Sequence, residues 1–243
     1  MKTFGLTDKG KIRQENQDSF LIEQLQDGCL VAVLCDGMGG VQGGRVASEL
    51  AAKLFAEHMT QRLQEIKSRD RLRQHILSSV SHANGIVYNY SFFDPAFTGM
   101  GTTLVAAVCR NGRVAVVNIG DSRAYHIARK RVRQITRDHS LVEELIDRGA
   151  LTREQARNHP RRNIITRALG VEPEVEADFF ELKLSRGERL LLCSDGLSNL
   201  VDEAQLLEQS AAAADPETLC RSLMMLALER GAADNVTIVV LEK

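Results

Sequence analysis

Residues 30–40 read Leu30-Val31-Ala32-Val33-Leu34-Cys35-Asp36-Gly37-Met38-Gly39-Gly40. An unbroken apolar run ends in a carboxylate and then a glycine-rich turn. A short apolar run bounded by turn residues reads as a buried strand. The acid at its end is pinned by the sheet, and the small residues beside it let backbone, metal or substrate come close. The same pattern recurs at Ile119-Gly120-Asp121-Ser122 and at Cys193-Ser194-Asp195-Gly196. It recurs reversed at Ala232-Ala233-Asp234-Asn235, just before an apolar run. One Asp-Gly after a strand is ordinarily a turn. Four strand-end carboxylates in one chain form a pattern.

Further runs read as strands: Thr103–Val108, Arg113–Ile119, Ala124–Ile127, Arg189–Cys193 and Val236–Leu241. Asn111-Gly112 between two of them predicts an antiparallel hairpin. Helical stripes cover Gly44–Ile66, Arg71–Tyr90 and Pro216–Glu229, the first two forming an antiparallel pair across a short link. Strands outnumber helices, and the helices are grouped. The expected class is α+β, with antiparallel sheets covered by helix pairs rather than a doubly wound parallel sheet.

If the four carboxylates converge, their repulsion needs cations. No Cys or His stands beside them except the Cys that ends a strand, so the ligand set is all oxygen. That suits Mg²⁺ or Mn²⁺ rather than zinc. Two ions sharing an Asp could aim a water at a phosphorus atom, which makes a phosphate ester the expected substrate. The glycine run Asp36–Gly40 lacks both the Lys-Ser/Thr of a P-loop and dinucleotide-fingerprint spacing, which disfavours nucleotide binding.

The 243 residues, 26.9 kDa, carry Lys+Arg 31 against Asp+Glu 32, a net charge of −1. This balance disfavours a basic nucleic-acid binder or a polybasic membrane protein. Pro is only 4, which excludes a Pro-rich disordered chain. Cys29, Cys35, Cys109, Cys193 and Cys220 are odd in number and lack CxxC spacing, so neither a disulfide framework nor a zinc site is expected. The polar N-terminal stretch is no signal peptide, and no apolar run could span a bilayer. These features predict a cytoplasmic protein without nucleic-acid or membrane partners.

The motifs, taken in order, resemble the metal-dependent Ser/Thr phosphatases of the protein phosphatase 2C (PP2C) type, in particular the compact bacterial branch. They are Arg13-x-x-Asn16-x-Asp18, Asp36-Gly37-Met38-Gly39-Gly40, Gly101-Thr102-Thr103, Gly120-Asp121-Ser122-Arg123, Thr136-x-Asp138-His139, Thr166–Gly170, Ser194-Asp195-Gly196 and Asp234-Asn235-Val236-Thr237. The resemblance runs from about Thr3 to Leu241. It implies one domain over residues 1–243, a central β-sandwich flanked by helix pairs, and a helical flap at about 138–170. It implies hydrolysis of phosphoserine and phosphothreonine in proteins by a metal-bridging water or hydroxide, reversing a bacterial Hanks-type Ser/Thr kinase, by a monomer. The cofactors implied are two Mn²⁺ or Mg²⁺ ions and a weaker third. By the same resemblance Asp36 bridges two ions with the Gly37 carbonyl on one, and Asp195 and Asp234 complete the other. Asp121 with Asp195 holds the third, Asp18 acts through water, and Arg13 clamps phosphate. The catalytic set is thus Asp36, Arg13, Asp195 and Asp234. Thr102, Thr103 and Asn235 are expected to orient the acidic loops.

The chain departs from the family at Val41, where a His that is the candidate general acid normally follows the glycine run, and at Arg45, where a Glu is usual. The expectation is an active enzyme whose leaving group is protonated by water, with Arg45 adding phosphate attraction. A phosphoprotein-binding pseudophosphatase with weak turnover is the alternative, and a metal-dependent nuclease is disfavoured by the charge balance. Of the remaining histidines, His139 reads as part of a helix cap, His126 as structural, and His58, His75 and His82 as helix-surface or packing residues. Arg129–Arg167 carries eleven Arg and Lys against five Asp and Glu, an excess of 11 − 5 = +6. A cationic flap would attract phosphorylated or acidic segments.

Overall fold

The computed structural model describes residues 1–26, 28–157 and 159–243, with the side chains of residues 41, 42 and 157 left aside. Two antiparallel sheets pack face to face. The first runs β1 (Lys2–Asp8), β11 (Val236–Glu242), β10 (Arg189–Cys193), β7 (Arg123–Ala128) and β8 (Arg131–Gln134) in spatial order. The second runs β2 (Asp18–Gln24), β3 (Leu30–Met38), β5 (Leu104–Arg110), β6 (Arg113–Ile119) and β9 (Asp178–Lys183), with β4 (Gly101–Thr102) added to β3.

The unbroken apolar run of β3 has a simple cause: both its faces are covered. Leu30, Ala32 and Leu34 pack toward the first sheet, against Leu190, Leu192, Val239 and Leu241. Val31, Val33 and Cys35 pack the other way, with Phe55, Met59, Ile76, Val80 and Val87. Those five belong to α1 (Gly40–Arg62) and α2 (Arg69–Phe93). On the far side α7 (Pro216–Glu229) buries Leu219, Leu223 and Ala227 against Leu191, Ile238 and Val240. The result is helix pair, sheet, sheet, helix, as the expected α+β class requires.

The expected Asn111-Gly112 turn is present, with φ of +50° and +75° at its two residues. The pairing runs on to Arg110↔Arg113. All five cysteines are buried and reduced. The first helix starts four residues earlier than expected, at Gly40. Its glycines allow close packing: a Cβ on Gly43 would lie 3.0 Å from Met100, and one on Gly44 2.8 Å from the Gly37 carbonyl. Strands β1, β2, β4 and β9 were not expected. Strand β2 reads Asp18-Ser19-Phe20-Leu21-Ile22-Glu23-Gln24, and its middle is only half-buried. The segment expected to be a helical flap holds the short helices α3 (Leu141–Asp147) and α4 (Arg153–Arg157), whereas α5 (Asp195–Ser198) was missed and α6 (Glu203–Ala212) was not read over its length, despite an Asp202–Gln205 capping box. No helix among the described residues is long and apolar enough to cross a membrane.

Candidate active site

The strand registers send every flagged carboxylate to one end of the sandwich. Asp18 at the start of β2 lies opposite Asp36 near the end of β3. Asp121 follows β6, Asp195 follows β10 and Asp234 precedes β11. Alternate antiparallel strands run in opposite directions, so strand ends and strand starts meet at the same pole. Asp36, Gly37, Asp121, Asp195 and Asp234 line one cavity of about 510 Å³, together with Arg13.

Each acidic loop is braced. The Asp36 carbonyl accepts from the Thr102 hydroxyl and the Thr103 amide, both at 2.9 Å, and the Asp36 amide donates to the Thr103 hydroxyl at 2.9 Å. Asn235 accepts from the Gln17 amide at 2.8 Å and donates to the carbonyls of Lys9 and Glu15, tying the Asp234 loop to the Arg13 loop. Thr102, Thr103 and Asn235 therefore orient the acidic loops, as expected. Gly37 admits no side chain, because a Cβ there would fall 2.0 Å from the Gly44 carbonyl oxygen.

Asp18 lies behind the cavity and is buried. Its Oδ2 accepts from Ser194 and Thr237, each at 2.7 Å, while its Oδ1 is buried without a partner. Asp195 likewise leaves Oδ1 buried and unpartnered, its Oδ2 accepting from Asn199 at 3.1 Å. Burial, then neighbouring carboxylates, push these acids out of the ordinary range: Asp18 and Asp195 up to about 6 and Asp121 up to about 7. Asp36 is also pushed well up, by burial and by Asp18, Asp195, Asp121 and Asp234. Carboxylates so placed lack positive charge. Two buried oxygens without partners mark where a cation-rich environment would be satisfied.

Among the described residues, no three Asp, Glu, His or Cys side chains converge tightly enough to form a ready-made metal cage. Self-repelling carboxylates stand apart. A hard divalent ion that keeps several waters needs only one or two carboxylates from the protein, so the donor set fits such ions and not an all-protein cage.

Arg13 Nη2 donates to Asp234 Oδ2 at 2.8 Å, at the open face of the cavity. Arg45 is elsewhere: it pairs with Glu49 one turn along α1, so the structure does not support its expected attraction for phosphate. The Val41 side chain lies outside what is described. His139 does not cap α3, a role filled by Ser140. Instead its Nδ1 accepts from the Gly120 amide at 3.1 Å, and its own amide donates back to the Gly120 carbonyl at 3.0 Å. Gly120 has a φ of +98°, and His139 fixes this turn immediately before Asp121. His126 pairs with Glu188, and His58 stacks between His75 and His82 on the helix pair.

Some participants were missed from the sequence. Asn163 and Ile165, in the segment expected to form a flap, line the cavity, as do Gln14, Glu15 and Gln17. Only the proximity of Gln17 to Asp18 in the chain could have signalled one of them. The basic excess is not one patch. Arg137, Arg148, Arg153 and Arg167 pair with acids of α3 or of β9, and Arg129–Arg133 lies at the other end of the sandwich.

A family model described as protein phosphatase 2C matches residues 11–227. The serine/threonine phosphatase stp of Listeria monocytogenes is 36% identical over 237 residues, covering 98% of this chain and 94% of its own. The crystal structure of the serine/threonine phosphatase Stp1 from Staphylococcus aureus superposes with a TM-score of 0.92 at 34% identity, covering 100% of this chain and 95% of that one. The catalytic domain of the serine/threonine protein phosphatase PstP, solved with two manganese ions, gives a TM-score of 0.85 at 33% identity, covering 99% and 97%.

Proposed function

The chain belongs to the protein phosphatase 2C family, and on that premise we propose that it hydrolyses phosphoserine and phosphothreonine in proteins with the help of two Mn²⁺ or Mg²⁺ ions. The observation that carries this reading is the gathering of Asp36, Asp121, Asp195 and Asp234 around one cavity whose open face holds Arg13. When bound, such ions supply Lewis-acid charge and lower the pKa of a water.

The chain's own residues do the rest. Asp36, central among the acids, would serve both ions, with the Gly37 carbonyl beside it. Asp195 and Asp234 would hold one of the pair, and Asp121 with Asp195 a weaker third. Asp18, fastened by Ser194 and Thr237, sets the back wall and would accept from water through its unpartnered oxygen. Arg13 presents a planar, permanently charged fork suited to phosphate oxygens. No His or Lys is among the described residues lining the cavity, so the departing seryl or threonyl oxygen takes its proton from solvent. The pseudophosphatase alternative would call for a depleted acid set, and every acid is in place.

The chain is best described as one domain, residues 1–243, with a flap at about 138–170 that reaches the cavity through Asn163 and Ile165. The reading extends to a cytoplasmic monomer that reverses a Hanks-type Ser/Thr kinase. The test is turnover of a phosphothreonine peptide during Mn²⁺ titration. Activity should rise with the ion and disappear in EDTA. Asp36→Asn and Asp234→Asn should each lose about 10³-fold or more, as expected for groups that position transition-state charge. Undiminished turnover in EDTA, or in either variant, would overturn the proposal.

A further inference from the structure

We propose that the pole of the sandwich opposite the carboxylates is a docking surface for anionic lipid headgroups. The register that gathers acids at one pole gathers cations at the other. In the second sheet Arg113 pairs across the ladder with Lys183. The next turn carries Arg186, and Leu184 donates to the Gly112 carbonyl at 3.1 Å, which joins the two turns. The amino group of Lys243 lies over Gly112. In the first sheet the β7–β8 hairpin projects Arg129, Lys130 and Arg131 at the same end. Lys2, opposite Glu242, completes the rim.

These side chains are exposed, and none of them takes part in an ion pair among the described residues. Two acids at this pole, Glu242 and Glu188, are already engaged. Glu242 is held by Arg189 at 2.7 Å. Glu188 accepts from the Ser185 amide at 2.8 Å and pairs with His126 at 3.0 Å. The pole therefore shows eight cations outward, with Glu242 and Glu188 held and only Glu23 and Glu181 exposed beside them among the described acids of these strands.

The spread of charge decides between partners. Five strands about 4.8 Å apart place the outer turns roughly 20 Å from each other, and the second sheet adds about 10 Å of depth. One phosphorylated side chain cannot bridge that span, whereas a headgroup layer meets all the turns together. The turn residues Arg129, Lys130, Asn111, Gly112 and Ser185–Glu188 include no aromatic ring on which a nucleobase could stack. Long basic side chains near an anionic bilayer surface are drawn to it, over a reach set by the Debye length. Docking by this pole leaves the cavity facing away from the surface. The composition-level expectation of no membrane partner averaged over two poles of opposite character.

The test is co-sedimentation with vesicles of phosphatidylcholine containing one part in four of phosphatidylglycerol. The intact protein should sediment with them in about 0.1 M salt and be released at about 0.5 M. It should ignore vesicles of phosphatidylcholine alone. Arg129→Glu, Lys130→Glu, Arg131→Glu and Arg186→Glu combined should weaken binding at least about tenfold while leaving aryl-phosphate turnover unchanged. Asp36→Asn should bind vesicles as the unaltered protein does, which separates this surface from the active site. Failure to sediment, retention by the charge-reversed variant, or preference for poly-glutamate or RNA over the vesicles would each overturn the proposal.

Discussion

Asp18 is buried beside other acids, with one oxygen unpartnered. Its folded value of about 6, with about 6 for Asp195 and about 7 for Asp121, lies above the ordinary carboxylate value of 3.8. Between those limits the folded, ion-free protein binds more protons than the unfolded chain. Stability is then fully present below the unfolded value and is lost as pH rises through about 6 to 7. In EDTA the melting temperature should fall by several degrees between about pH 6 and pH 8, and Mn²⁺ should restore it. Asp18→Asn keeps an acceptor for Ser194 and Thr237 and removes the charge. It should stabilise the ion-free fold at pH 8 by about 1–3 kcal/mol and flatten the slope. A stability that rises with pH in EDTA would contradict this account.

A second residue-scale prediction concerns position 41. If water supplies the proton to the leaving group, Val41→His should raise turnover of a phosphoserine peptide by about 10²-fold or more. A rapidly leaving aryl phosphate should gain much less. Equal gains on both substrates would argue that the introduced His acts on something other than the leaving group.

The elements divide according to how well their sequences announce them. Strand β3 was legible because both faces are apolar, and α2 because its stripe is regular and Ser68 caps it, accepting from the Arg71 amide. Strands β1 and β2 were not, since their half-buried middles mix polar and apolar residues without clean alternation. The acids were visible one by one, and their resemblance to a family joined them. The His139 brace on Gly120 was invisible, because the two are far apart in sequence and are joined by only two hydrogen bonds, one of them to a ring nitrogen. At this scale the close approach of α1 to the Asp36 turn can be tested. Gly37→Ala forces a methyl against the Gly44 carbonyl. It should cost about 3 kcal/mol in denaturant unfolding and abolish the response to Mn²⁺. The flap gives another test. Arg161 precedes the cavity-lining Asn163 by two residues and is exposed. Replacing Arg161 and Arg162 with Ala should raise KM for a phosphoprotein several-fold while leaving KM for an aryl phosphate nearly unchanged. Equal changes would remove the docking role of the flap.

At the scale of the molecule, a net charge of −1 conceals a chain sorted by strand direction. Composition cannot show this, because it carries no information on which strand ends meet. Sequence patterning gave the layers, but strand order set the poles.

That order has a consequence for the birth of the protein. Strand β11, which follows the other ten strands in the chain, is not an edge strand: it lies between β1 and β10, pairing Lys2 with Glu242 and Leu190 with Leu241. A chain leaving the ribosome amino end first can assemble β2, β3, β5 and β6 with their covering helices early. The other sheet must wait with a gap between β1 and β10 until β11 emerges. Asp234 and the Asn235 brace arrive with that strand, so a nascent chain stays catalytically silent until β11 has emerged.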